Sequence, residues 1–195
     1  QPILEAPAYI GITVFFFSLF GFFFTKGPLR NSLLLGTVFS LLLSWGKNLP
    51  FITDPLIDYF PFYNKFRAVS SIQVVLEFCL PISASIGLYN LFYKEKKFDF
   101  KRFIKIAVIP IILLVIIFLS KGMLSFSGLN DSYLREIYGS DLFSQIKEAR
   151  VSVFQADILR GILFCVVLII IINLYEFNRI KRGLALGFVI FILLF

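Results

Sequence analysis

Six long apolar runs, separated in strict alternation by short basic loops and longer loops of mixed charge, constrain this chain more than any other feature. A bilayer core needs roughly 20 apolar residues per helix, within a working range of about 17 to 25. The runs 8–25, 72–92, 103–120 and 154–175 meet that length. Ser32 to Trp45 meets it only if it begins near Leu29, and Leu184 to Phe195 stops at the last residue, too short to span. With 58% hydrophobic residues and 26 Phe in 195, the chain is too apolar for one water-soluble core. The expected fold is an all-α integral membrane protein, a polytopic helical bundle of about six transmembrane helices with the last one truncated. Because it starts at Gln1 and ends inside an apolar run, the sequence reads as a single transmembrane domain fragment, 1–195, of a longer protein.

The charges set an expected orientation. Loop 26–31 carries Lys26 and Arg30; loop 93–102 and the start of the next run carry Lys94, Lys96, Lys97, Lys101, Arg102 and Lys105; loop 176–183 carries Arg179, Lys181 and Arg182. The acids among them are Glu95, Asp99 and Glu176. Basic juxtamembrane clusters mark cytoplasmic loops, so the remaining loops, 46–66 and 121–153, are expected outside together with Gln1. The net charge of +7 is then mainly a topology signal, with attraction to anionic lipid second. Nucleic acid is not an expected partner, because no folded domain carries these bases.

Absences narrow the chemistry. With no His, the segment supplies neither a His-based acid/base pair nor a His metal site. Cys79 and Cys165 fall inside apolar runs, where packing rather than a disulfide is the expected use. No Gly-rich phosphate loop or nucleophile elbow occurs, and no metal ligand set or cofactor motif can be assigned.

What remains is the outer face. Loop 46–66 holds Pro50, Pro55 and Pro61 among six aromatics, and is expected to lie in the interface rather than form one continuous helix. It also gathers Asp54, Asp58, Lys65 and, just beyond it, Arg67, so it is either a passive re-entrant connector or a site offering acceptors and cations. At about 100° per residue, Arg67, Ser70, Gln73, Glu77 and Ser85 share one face of the third helix, with Glu77 ~15 Å deeper than Arg67. An ionisable group at that depth calls for a partner or a water-filled cavity, and Pro81 is expected to bend the helix beside it.

In the second outer loop, Asn130 or Asp131 is a candidate cap for a short helix ending at Gly139, and Ser140 for the next. Leu142, Phe143, Ile146 and Ala149 opposite Lys147 and Glu148 form the pattern of an interfacial amphipathic helix lying on the membrane before the chain turns inward. Arg150, Asp157 and Arg160 follow at spacings of seven and three, on nearby faces. The expected candidate site is a charged cluster of Arg67, Asp157 and Arg160 with Glu77 nearby; the alternative is a local surface pair between Asp157 and Arg160. Gly36, Ser40 and Ser44 form a small-residue stripe for packing within the bundle or for dimerisation. Phe15, Phe16, Phe17, Phe20, Phe22, Phe23 and Phe24 surround the first helix and are expected to face lipid.

The stretch YFPFYNKFRAVSSIQVVLEF, with Pro61, Tyr63, Asn64, Phe66 and Arg67 opening a membrane helix, resembles a segment of bacterial YfhO-family membrane proteins. Arg150, Asp157 and Arg160 in EARVSVFQADILRG resemble the same family, although Gly161 stands where a Ser is expected. The resemblance covers about Trp45 to Gly161. It implies a GT-C-type membrane glycosyltransferase working at the outer face of the bacterial cytoplasmic membrane, with a polyprenyl-phosphate sugar donor and a cell-envelope glycan or lipid acceptor. The catalytic acid implied by the family would precede Gln1. Arg67, Arg150 and Arg160 would then bind the donor phosphate, since guanidinium groups suit bidentate oxyanion recognition. Asp54, Asp58 and Tyr63 would position sugar hydroxyls, and Glu77 would orient Arg67. A transporter or lipid flippase, with the polar stripe lining a path across the bilayer, and a non-catalytic membrane scaffold subunit are the competing classes.

Overall fold

The computed structural model describes residues 9–45, 50–59, 72–93, 99–128 and 131–194, and among them the elements are all helices, joined by short loops, without a strand. The helices are α1 (Ile12–Phe24), α2 (Pro28–Ser44), α3 (Pro50–Tyr59), α4 (Gln73–Phe92), α5 (Phe100–Leu119), α6 (Asp131–Glu176) and α7 (Arg182–Leu193). Three segments are long and apolar enough to cross a bilayer: Gln73–Phe92, Phe100–Met123 and Gly139–Glu176. The helices Ile12–Phe24, Pro28–Ser44 and Arg182–Leu193 are apolar but shorter. This is a helical membrane protein. The chain divides into two compact units, Gln1–Phe98 with Leu193–Phe195, and Asp99–Ile192.

In the first unit, α4 packs against α1 and α2. Gly21 and Gly87 let the backbones of α1 and α4 meet: a Cβ on Gly21 would run into the Ser83 carbonyl, and one on Gly87 into the Phe17 carbonyl. Ser83 Oγ donates to the Ser18 carbonyl at 2.9 Å, and Asn90 Nδ2 donates to Thr25 Oγ1 at 3.0 Å. Each pair is displaced by the same seven residues on both helices, so α1 and α4 run parallel and in register, the relation expected when α2 returns between them. On α2, Leu33, Thr37, Ser40 and Leu43 form the buried stripe. Ser40 Oγ donates to the Ile72 carbonyl at 2.6 Å, and a Cβ on Gly36 would lie 3.0 Å from Cys79 Sγ. Gly36 and Ser40 thus serve packing inside this unit, whereas Ser44 Oγ donates to the Leu41 carbonyl of its own helix.

One expectation changes here. Phe16, Phe17 and Phe20 are buried rather than facing lipid, with ring centroids 5.2–5.4 Å apart for the contacting pairs; Phe23 is half exposed. Loop 46–66 contains the ten-residue helix α3. Pro50 stands at its start, where an N–H has no helical partner to lose, and Pro55 removes one internal bond without ending the helix.

In the second unit, Asp99 caps α5 by accepting from the Arg102 N–H at 3.1 Å. α5 packs on α6 with Phe103, Ile106, Ala107 and Pro110 buried. The two run antiparallel, as Phe100 meets Phe177 with ring centroids 6.4 Å apart. A 3₁₀ turn, Ser120–Met123, ends α5. α6 is interrupted at Gly139, whose φ of 78° lies in the left-handed region open to glycine, and Asn178 closes it at φ 54°. There the Arg179 N–H reaches back to the Leu174 carbonyl at 2.8 Å and the Asn178 N–H to the Tyr175 carbonyl at 2.9 Å, the hydrogen bonds of a Schellman cap.

After Gly139, α6 continues without a second break to Glu176. The expected interfacial helix is therefore the leading part of the spanning helix, and no inward turn separates them. The physical reason is phase: Phe143, Ile146, Arg150 and Phe154 lead directly into the buried Ile158, Gly161, Cys165, Leu168 and Ile172 at three- and four-residue steps. Gly139–Glu176 has 38 residues, about 57 Å of helix at ~1.5 Å per residue. That exceeds a hydrocarbon core of about 30 Å, so an upright α6 projects well beyond it.

Candidate functional site

The leading half of α6 and the loop before it hold the most developed polar arrangement among the described residues. Arg150 Nη1 donates to both Asp131 carboxylate oxygens at 2.9 Å and to the Phe126 carbonyl at 3.1 Å, while Nη2 donates to Asp131 Oδ1 at 2.9 Å. The Gly128 N–H donates to Asp131 Oδ2 at 2.7 Å. Asp131 thus accepts from a guanidinium and a backbone amide together, a charge-assisted arrangement stronger than neutral hydrogen bonds. The hydrogen bond from Arg150, followed by that from Gly128, holds the Asp131 carboxyl below its ordinary range.

Local backbone geometry makes this possible. Phe126 adopts φ 49°, and its ring meets Phe154 edge-on with centroids 5.2 Å apart. Gly128 has no room to spare, since a Cβ there would lie 3.2 Å from Asp131 Oδ1 and 3.6 Å from Arg150 Nη2. The Asp131 N–H in turn donates to the Gly128 carbonyl at 3.2 Å. Loop 124–128 is therefore clasped to α6 by the Phe126–Phe154 contact, by the Arg150 bond to the Phe126 carbonyl and by the Gly128 N–H bond to Asp131, whose carboxylate Arg150 holds. The pair is largely enclosed at the acid, whose side chain is 13% exposed, against 34% for Arg150.

Asp157 and Arg160 differ. Their closest approach is 3.9 Å, and their side chains are 64% and 62% exposed. The continuous helix also places Arg160 ten residues beyond Arg150, about 15 Å along its axis. These two arginines, both expected to bind the donor phosphate, therefore lie at two levels: a closed pair at Arg150 and an open one at Arg160.

The other candidates lie in the first unit. Asp54 and Asp58 are exposed and four residues apart on α3, so they share a face. Glu77 and Ser85 are exposed on α4, on the side away from the buried stripe of Leu76, Cys79, Leu80, Ser83, Ala84 and Gly87. Pro81 has no N–H to offer the Glu77 carbonyl, while its own carbonyl accepts from Ser85 Oγ at 2.9 Å. Tyr63 and Arg67, with the motif from Pro61 onward and Ser70, lie outside the described residues.

Sequence reasoning offered Asn130 or Asp131 as a helix cap and missed the ion pair between Asp131 and Arg150. The spacing of 19 residues spans the break at Gly139 and so has no helical period, and the only local signal was glycine at 128 and an acid at a helix start. It also missed a shallow groove along one face of α6, lined by Ser144, Lys147, Glu148, Val151, Ser152 and Gln155. No cluster of metal-ligating side chains occurs among the described residues. No protein family, curated protein or solved structure matches the chain.

Proposed function

We propose that this chain is part of a multi-pass glycosyltransferase-like protein of the bacterial cytoplasmic membrane, with loops 46–66 and 121–153 outside, and that it holds the phosphate of a polyprenyl-phosphate sugar donor. The observation that carries the reading is the open pair at Arg160. A guanidinium and a carboxylate on a helix long enough to span, both exposed and only loosely in contact, retain donors and acceptors for a ligand. Ionisable groups at membrane depth are costly, and function is the usual reason they persist. The likeness of the segments around Arg67 and Arg160 to YfhO-family proteins supplies the substrate class. Arg67 and Arg160 bind the phosphate in this reading, Asp157 orients Arg160, Glu77 orients Arg67, and Asp54, Asp58 and Tyr63 meet the sugar. Donor phosphate recognition by arginine also stabilises charge on the departing phosphate.

The test is binding of a polyprenyl-phosphate sugar to the full-length protein in lipid nanodiscs, comparing wild type with Arg67→Ala and Arg160→Ala. Loss of binding in variants of normal thermal stability supports the site; undiminished binding in both overturns it. Labelling of a Ser127→Cys variant in intact cells by a membrane-impermeant thiol reagent tests the orientation, and protection of that cysteine until the cells are lysed reverses it.

A further inference from the structure

The Arg150–Asp131 clasp bears on how such a site is controlled. A carboxylate held by both terminal nitrogens of a guanidinium and by a backbone N–H is bound in the way these same donors would hold two oxygens of a phosphate. Here the anion belongs to the chain itself, and the segment that delivers it also carries the loop. Loop 124–128 and Asp131 are tied to α6 by that carboxylate, by the Arg150 contact to the Phe126 carbonyl and by the Phe126–Phe154 edge. Release of the carboxylate leaves the Arg150 contact to the Phe126 carbonyl and the aromatic edge as the remaining ties among these three, and frees Nη2 of Arg150 together with the second N–H of Nη1.

Resting on the donor-binding reading above, we propose that Asp131 is an internal stand-in for a phosphate oxyanion: it occupies Arg150 in the closed state, and a phosphate-bearing ligand engages Arg150 by displacing it and opening the loop. The clasp is autoinhibitory in this sense, and the two levels on α6 divide the work. Arg160 is open to ligand from the start, whereas Arg150 becomes available when the loop moves. The ligand chemistry is a phosphate oxyanion, borne on a lipid or free in water.

The experiment uses the full-length protein in nanodiscs, titrated separately with farnesyl phosphate and with inorganic phosphate. Asp131→Asn keeps the shape of the side chain and removes the competing charge. A receptor closed in about nine of ten molecules gains about tenfold in apparent affinity when the closure is removed. The expected result is therefore a tightening of about that size in Asp131→Asn, absent when Arg150→Gln is added. Tightening for farnesyl phosphate alone identifies a lipid-borne ligand, and tightening for both identifies the phosphate group itself.

A second measurement leaves the clasp intact. Spin labels at Ser125→Cys and Ser152→Cys, with Asp131 and Arg150 in place, are expected to move apart when the probe saturates the protein. An unchanged label distance at saturation overturns the proposal. So does wild-type binding that Asp131→Asn fails to improve, and that outcome leaves the donor-binding reading standing. Absence of binding of either probe to both wild type and Asp131→Asn overturns the two together.

Discussion

The two units of this chain are held together by opposite means. In the first, α1 and α4 approach until backbone touches backbone, with Gly21, Gly87 and Ser83 leaving the space and Phe16, Phe17 and Phe20 buried beside them. In the second, the buried positions of α6 are mostly large, Ile158, Leu168 and Ile172 with Cys165, and polar bonding is concentrated in the clasp at Arg150. Lipid offers no hydrophobic drive for helices to associate, so close packing and interhelical hydrogen bonds must supply it. The first unit relies on absent side chains and the second on present ones. They should therefore fail under opposite substitutions.

The largest effect is expected where added atoms have nowhere to go. Gly87→Val places a branched side chain against the Phe17 carbonyl and the Gly21 amide, and should cost about 3 kcal/mol or more through overpacking. Unfolding by denaturing detergent, followed by helical circular dichroism, measures it. A Gly87→Val protein as stable as wild type would break the comparison. The opposite change belongs to the second unit: Leu168 is fully buried, and Leu168→Ala should cost about 2 kcal/mol through the cavity it leaves. Ser83→Ala is milder, since it removes the bond to the Ser18 carbonyl without adding volume, and about 1 kcal/mol is expected.

These contrasts were only partly legible in the sequence. The apolar runs announced the helices, and Gly139 fell where a left-handed residue divides α6. Gly36 and Ser40 were recognisable as a packing stripe because small residues at four-residue spacing lie on one face. The burial of Phe16, Phe17 and Phe20 was not legible, because phenylalanines all around a helix give no preferred side from which to infer a neighbour. The uninterrupted course of α6 was hidden by composition: charges at Lys147 and Glu148 suggested a surface helix, while the phase of Phe143, Ile146, Arg150 and Phe154 already matched the buried stripe beyond. The clasp depends on a loop conformation with Phe126 at φ 49°, which no periodicity encodes.

Two aspartates on the second unit sharpen the comparison further, because they differ in enclosure. Asp131 titrates below the ordinary carboxylate value of 3.8, since Arg150 and the Gly128 N–H favour its charged form. A depressed folded-state value means that its contribution is fully present above the ordinary value and is lost as pH falls through the lower one. The loop should thus stay clasped from neutral pH down to about 4 and loosen only in stronger acid. The mobility of a spin label at Ser125→Cys reads this directly, and loosening near pH 6 would assign the clasp to another group.

Asp157 stands in the open, and the expected effect of replacing it is the smallest. At 64% side-chain exposure and 3.9 Å from Arg160, it forms the kind of open pair whose net contribution is small, because solvent screens the charges and holding both side chains costs entropy. Asp157→Asn should change stability by less than about 0.5 kcal/mol. The same detergent unfolding applied to Arg160→Ala is the sharper measurement. A small loss leaves the guanidinium available for a ligand, as the donor-binding reading requires. A loss as large as that of Leu168→Ala would make Arg160 a packing residue, remove the distinction between the closed and open levels of α6, and take the phosphate site with it.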